Sequence, residues 1–114
     1  MVKKYLLLMI LLASITLISC SSNESINLET FATCLTENGA QLFGSQTCPH
    51  CQYQKEMFND AFEHIDYIEC SIDREKCSQE GIKYLPTWKF ADDTEVSGVQ
   101  EFKELSEKTG CALN

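Results

Sequence analysis

Cys48 and Cys51 stand two residues apart in "TCPHC", with Pro49 and His50 between them. Two thiols at that spacing support three kinds of chemistry. They can close into a disulfide and reopen, they can supply part of a metal site, or they can form an inert crosslink. A structural zinc site takes about four ligands. Only Cys48, Cys51 and His50 lie close together, and the sequence holds no second cysteine pair at this spacing. Haem attachment would put a histidine directly after the second cysteine, where Gln52 stands. Exchange is the chemistry these residues favour. A thiolate attacks a sulfur–sulfur bond, a mixed disulfide forms, and a neighbouring thiol resolves it.

That chemistry depends on the elements around the pair. "AQLFGS" is a short apolar run that reads as a buried strand leading to Cys48. Thr47 can cap a helix, with Pro49 tolerated in its first turn. The spacing predicts this helix from Cys48 to Glu63, with Tyr53, Met57 and Ala61 in one apolar row and Phe58, Phe62 and Ile65 in the next. Cys48 then sits at a helix N-terminus, where unpaired N–H groups and the dipole favour a sulfur anion. His50 is placed to donate to that sulfur or to set positive charge beside it. Cys51 lies one turn in and is less exposed.

The remaining elements follow from periodicity. Leu28, Phe31, Ala32 and Leu35 form one helical face, and Asn38-Gly39 stops it. "IDYIECSI" reads as a strand, and "KCSQE" as a helical turn in a polar loop. "PTWKFA" and "TEVSGV" form a hairpin around Asp92-Asp93. "QEFKELSEKTG" is a last helix ending at Gly110. The order α-β-α-β-(short α)-β-β-α implies a mixed sheet between helices. No repeats or internal linkers are visible.

The start of the chain has a different character. Lys3 and Lys4 precede an apolar run from Tyr5 to Ala13, which continues more weakly to Ile18. That is the layout of an export signal, short for a membrane span of about 20 apolar residues. "LISC" resembles a bacterial lipobox, which implies cleavage after Ser19 and a lipid on Cys20. Residues 1–19 are then signal, 20–26 a lipidated start with a polar tether, and 27–114 the domain. The mature chain is one small domain near the size where a core alone is marginal. Without Lys3 and Lys4, 7 basic groups face 17 acidic ones. So acidic a chain, with no basic patch, argues against nucleic acid as a partner. Nothing in its motifs requires a cofactor. Setting Cys20 aside leaves six cysteines, an even number that suggests disulfides in an exported domain.

Pro86, in "YLPT", opens a predicted strand where it cannot donate to the ladder. It follows Cys51 by 35 residues, after one strand and before the hairpin. This arrangement resembles the thioredoxin superfamily across nearly the whole mature chain. The resemblance implies an α/β thioredoxin-like fold, with a mixed four-stranded sheet flanked by helices. "CLTENGAQLFGSQTCPHCQYQKEMF", "YIEC", "GIKYLPTW" and "KTGC" further resemble the thioredoxin-like domain found with bacterial vitamin K epoxide reductase homologues. "CPHC" also matches the DsbA-type periplasmic oxidants. These resemblances imply that Cys48 attacks, Cys51 resolves and Pro86 is cis. They imply exported cysteine-containing proteins as clients, and a separate membrane quinone-linked thiol oxidase, such as a vitamin K epoxide reductase homologue, as recycling partner. The chain departs from the pattern in two ways. Thr47 stands where thioredoxins usually have Trp, and no four-helix membrane enzyme is attached.

Other residues follow with alternatives left open. Cys70 and Cys77 flank a six-residue loop, where the family also has a cysteine pair; they are a structural disulfide or a second redox pair. Cys34 and Cys111 pair by elimination, or Cys34 is a buried free thiol. Glu69 is a proton acceptor beneath Cys51 or an exposed carboxylate at an edge. Tyr84, Leu85 and Thr87 are expected in a substrate groove beside Pro86, with Trp88 in the groove or in the core. The expected activity is extracytoplasmic thiol–disulfide exchange, oxidative in direction. The alternatives are a reductase, as in cytochrome maturation, and a metal-binding lipoprotein.

Overall fold

The computed structural model describes residues 2–5 and 25–114. Cys20 and most of the apolar run lie outside the described residues. Among the described residues no helix is long and apolar enough to cross a membrane. The elements run α1 (Leu28–Glu37), β1 (Gln41–Gly44), α2 (Pro49–Phe58), a 3-10 helix (Asn59–His64), β2 (Asp66–Glu69), α3 (Arg74–Gln79), β3 (Thr87–Lys89), β4 (Glu95–Ser97) and α4 (Phe102–Thr109).

The four strands form one sheet in the order β2-β1-β3-β4. β1 pairs parallel with β2, so both end at the same edge of the sheet. β1 pairs antiparallel with β3, and β3 with β4. The parallel pair needs a crossover, which α2 and the 3-10 helix supply. The hairpin needs a tight turn, and Asp93 takes a positive φ of 64° there.

The core lies on the sheet face that carries Leu42 and Trp88, which are register partners. Phe31 of α1, Phe58 of α2, and Phe102 and Leu105 of α4 meet there. Their rings pack at 4.9 Å for Phe58 and Phe102, 5.6 Å for Phe31 and Phe102, and 6.1 Å for Phe58 and Trp88. Phe43 alternates to the other face and is also buried. Trp88 is fully buried, which assigns it to the core and removes it from the groove.

Three expectations about α2 need correction. Its N-cap is Cys48, whose sulfur accepts from the Cys51 N–H at 3.3 Å, so the cap is one residue later than Thr47. The α-helix stops at Phe58, because Asn59 takes φ 49° and the chain continues as 3-10 helix. The inward row is Cys51, Gln54 and Phe58, and Tyr53 is 54% exposed. Gln54 can replace an apolar residue because its polar atoms are paired. Its Oε1 accepts from Trp88 Nε1 at 3.1 Å and from the Gln100 N–H at 2.7 Å, and its Nε2 donates to the Gln100 carbonyl at 3.1 Å.

Two disulfides crosslink the domain. Cys34 of α1 bonds Cys111, which follows α4, and Cys70 bonds Cys77 of α3. At the first junction, Asn38 Nδ2 donates to the Thr109 carbonyl at 3.0 Å. Gly39, at φ 81°, is required where α1 turns into β1: a Cβ would come within 2.9 Å of the Ala91 side chain.

Candidate active site

β1 ends at Gly44, the loop 45–47 follows, and α2 begins at Pro49. Cys48 therefore stands at the edge of the sheet, on a helix N-terminus. Its sulfur is half-exposed, and its thiol points to the Leu85 carbonyl at 3.8 Å. Cys51 is free as well but buried, being 1% exposed. Burial above all, then its contact with Cys48, pushes the Cys51 thiol up to about 11. One sulfur is thus presented to solvent with a main-chain donor behind it, and the other is held back as a neutral thiol.

The Leu85–Pro86 bond is cis. Pro86 is buried, and its carbonyl accepts from the Gly98 N–H at 2.8 Å, which ties the turn to the end of β4. Leu85 is half-buried and brings its carbonyl to Cys48, while Tyr84 is 70% exposed. Thr87 does not line a groove. It is buried, and its hydroxyl bonds the Tyr84 carbonyl at 2.7 Å and the Ser97 hydroxyl at 2.9 Å, supporting the turn from within. His50 is exposed in the first turn of α2, and among the described residues it makes no hydrogen bond to the Cys48 sulfur.

Glu69, expected as a proton acceptor or as an exposed carboxylate at an edge, is half-buried at the end of the edge strand β2 and bonded to its surroundings. Its Oε1 accepts from the Gln46 N–H at 2.9 Å and the Ser71 hydroxyl at 2.5 Å, and its Oε2 accepts from the Tyr67 hydroxyl at 2.6 Å. Burial works to raise this carboxyl, but the hydrogen bonds from Ser71, Tyr67 and Gln46 outweigh it and pull it down to about 2. A carboxylate that acidic does not store the proton of a thiol held near 11. Glu69 is a fixed anion. Among the described residues, no three His, Cys, Asp or Glu side chains converge as metal ligands.

No family model matches the chain. It is 36% identical over 103 residues to thiol-disulfide oxidoreductase LTO1 of Arabidopsis thaliana, covering 82% of this chain and 27% of that protein. The chain thus spans about a quarter of the length of that relative. Among solved structures, thioredoxin from Fasciola hepatica superposes with a TM-score of 0.49 at 19% identity, over 68% of this chain and 88% of that one. A point variant of thioredoxin from Halobacterium salinarum superposes with a TM-score of 0.51 at 22% identity, over 73% of this chain and 82% of that one. The fold is that of thioredoxin.

In this thioredoxin fold the dithiol, the cis-Pro86 turn and the end of β2 come together at one edge. Tyr67 was not among the residues expected at the site. Its ring lies under the Lys55 ammonium, 4.0 Å from the centroid, and edge-on to Phe62 at 5.3 Å. A Cβ on Gly44 would lie 2.9 Å from the Tyr67 hydroxyl and 3.3 Å from Cys51 Cβ. Any side chain at position 44 would therefore collide with Tyr67 and crowd Cys51. The only available signal was the alternation along β2, which puts Tyr67 and Glu69 on one face. Gln54, equally unforeseen, joins α2 to β3 directly behind the dithiol.

Proposed function

We propose that this chain is a protein thiol–disulfide oxidoreductase working through Cys48 and Cys51. The observation that carries the reading is the pairing of an exposed N-cap sulfur with a buried free thiol one turn on, facing the Leu85 carbonyl before Pro86. The similarity to a protein named a thiol-disulfide oxidoreductase supports it. In the forward direction Cys48 of the oxidised pair is attacked by a client thiolate. A mixed disulfide forms and Cys51 leaves as a thiolate that takes up a proton. A second client thiolate then attacks the client sulfur and releases Cys48. The client loses two electrons and two protons, and the dithiol gains them. In reverse, Cys48 attacks a client disulfide and Cys51 resolves the mixed disulfide.

The finer reading is an oxidase of exported proteins, tethered outside the cytoplasm by a lipid on Cys20. "LISC" after a basic start and apolar run supports the tether, and "CPHC" supports the direction. Recycling falls to a membrane quinone-linked thiol oxidase, such as a vitamin K epoxide reductase homologue. The helix N-terminus stabilises the reduced form when its sulfur is an anion, which makes the disulfide a stronger oxidant. The Glu69 anion opposes this, and that observation keeps a reductase as the second reading. Equilibration of the Cys48–Cys51 couple with glutathione decides between them. The oxidase requires a potential above about −200 mV, at the reducing side of the exported-compartment range. A potential near about −270 mV, where thioredoxin stands, would make the protein a reductase.

A further inference from the structure

We infer that Tyr67 and Glu69 form a positioning unit that sets a fixed negative charge against the dithiol and so biases it toward the disulfide. The inference rests on the reading that Cys48 and Cys51 cycle between dithiol and disulfide, and it adds two residues that touch neither client nor reacting sulfur.

Three geometric facts build the unit. First, the Gly44 carbonyl accepts from the Cys70 N–H at 2.8 Å, continuing the β1–β2 pairing past the strand end. At the next step a side chain takes over: Glu69 Oε1 accepts from the Gln46 N–H. The loop that presents Cys48 is thereby latched to β2 two residues before the cysteine. Second, Glu69 Oε2 is held by the Tyr67 hydroxyl. Third, that hydroxyl borders the space over Gly44, which Cys51 Cβ also borders: a Cβ added there would meet both. Loop, carboxylate and phenol are joined by hydrogen bonds, and the phenol and the resolving cysteine both border Gly44.

The charge balance around the unit is countable. Cys48 and Cys51 face it from the start of α2. Lys55 reaches the Tyr67 ring from the next turn of α2, 4.0 Å from the centroid, and Tyr67 and Glu69 come from β2 itself. The Lys55 ammonium thus sits over the face of the ring, whereas the carboxylate is bonded to the phenol oxygen at its edge. Burial first, and then the bond to Glu69, push the Tyr67 phenol well above its ordinary range, so it stays a neutral donor. The disulfide carries no sulfur charge, whereas the reduced pair carries one whenever a thiol ionises. A fixed anion bonded to Gln46, two residues before Cys48, disfavours only the reduced, ionised form. The disulfide is favoured, and more so as pH rises and more sulfur in the reduced pair ionises.

The test is equilibration of the full chain with glutathione redox buffers at about pH 7 and about pH 9, straddling the ordinary thiol range. Glu69→Gln keeps an oxygen for the Gln46 N–H and removes the charge. It should shift the dithiol–disulfide equilibrium toward the dithiol by about three- to tenfold, with the larger shift at the higher pH. Tyr67→Phe keeps the ring and releases Oε2 toward solvent, so it should give a smaller shift of the same sign. Glu69→Ala also breaks the latch. If Glu69→Gln matches wild type at both pH values while Glu69→Ala does not, Glu69 is a structural latch only and the inference is overturned. An unchanged equilibrium in all three variants overturns it as well. If wild-type Cys48 and Cys51 form no disulfide in any glutathione buffer, the functional reading itself fails, a result distinct from both.

Discussion

A buried amide destabilises a fold unless its polar atoms are paired, and Gln54 is paired with β3 and with the loop before α4. It accepts from the Trp88 indole and the Gln100 N–H, and donates to the Gln100 carbonyl. Gln54→Leu would preserve the volume and leave the Trp88 N–H and the Gln100 main chain unsatisfied. The expected loss is about 1–3 kcal/mol, read as a lower urea midpoint with an unchanged slope. An unchanged midpoint would mean that Trp88 and Gln100 find other partners. At this scale the sequence was legible where chemistry is local. Cys48 and Cys51 declare themselves by spacing, and Pro86 by its place before a hairpin. Gln54 and Tyr67 do not. A lone glutamine in a helix reads as solvated, and a tyrosine in a strand reads as packing. Their roles come from contacts across 34 residues, from Gln54 to Trp88, and from a neighbouring glycine on another strand. Thr87 misled for the same reason: adjacency to Pro86 suggested the groove, but strand alternation turns it inward to Ser97.

Elements were more legible than their ends. All four strands, and the helices anticipated around them, occur in the expected order, because hydrophobic periodicity is set by burial and survives small errors of boundary. The boundaries of α2 were not legible. Its start was displaced because a cysteine sulfur does the capping in place of the Thr47 hydroxyl. Its end was extended because Phe58, Ala61, Phe62 and Ile65 keep an apolar pattern through the change to 3-10 helix. The backbone break at Asn59 carries no hydrophobic signature. The sheet order β2-β1-β3-β4 explains why the site forms where it does. The parallel pair ends at one edge, the dithiol loop springs from β1, and the Tyr67–Glu69 pair sits at the end of β2.

At the scale of the whole molecule, a small domain with one core is tied by two disulfides of very different span. Cys34–Cys111 joins residues 77 apart, and Cys70–Cys77 residues 7 apart. In the chain-entropy account the long loop contributes about 4.5 kcal/mol and the short one about 2.4 kcal/mol. Cys34→Ala/Cys111→Ala should therefore destabilise the domain by about 2 kcal/mol more than Cys70→Ala/Cys77→Ala. Chemical denaturation of the two variants checks this, and equal losses would show that strain or residual unfolded-state structure outweighs chain entropy. The even cysteine count only suggested disulfides; Cys70–Cys77 was a candidate from its short loop and the family resemblance, whereas the pairing of Cys34 with Cys111 was left open because it depends on α1 and the C-terminal segment meeting in space, which composition does not reveal. The central claim is that Cys48 attacks and Cys51 resolves, and it is tested most directly by trapping. Cys51→Ala, mixed with a peptide disulfide, should accumulate a mixed disulfide on Cys48, seen by intact mass and lost in Cys48→Ala/Cys51→Ala. Wild type should pass through the same species without accumulating it. Adducts that persist without Cys48, or no adduct in Cys51→Ala, would contradict the account.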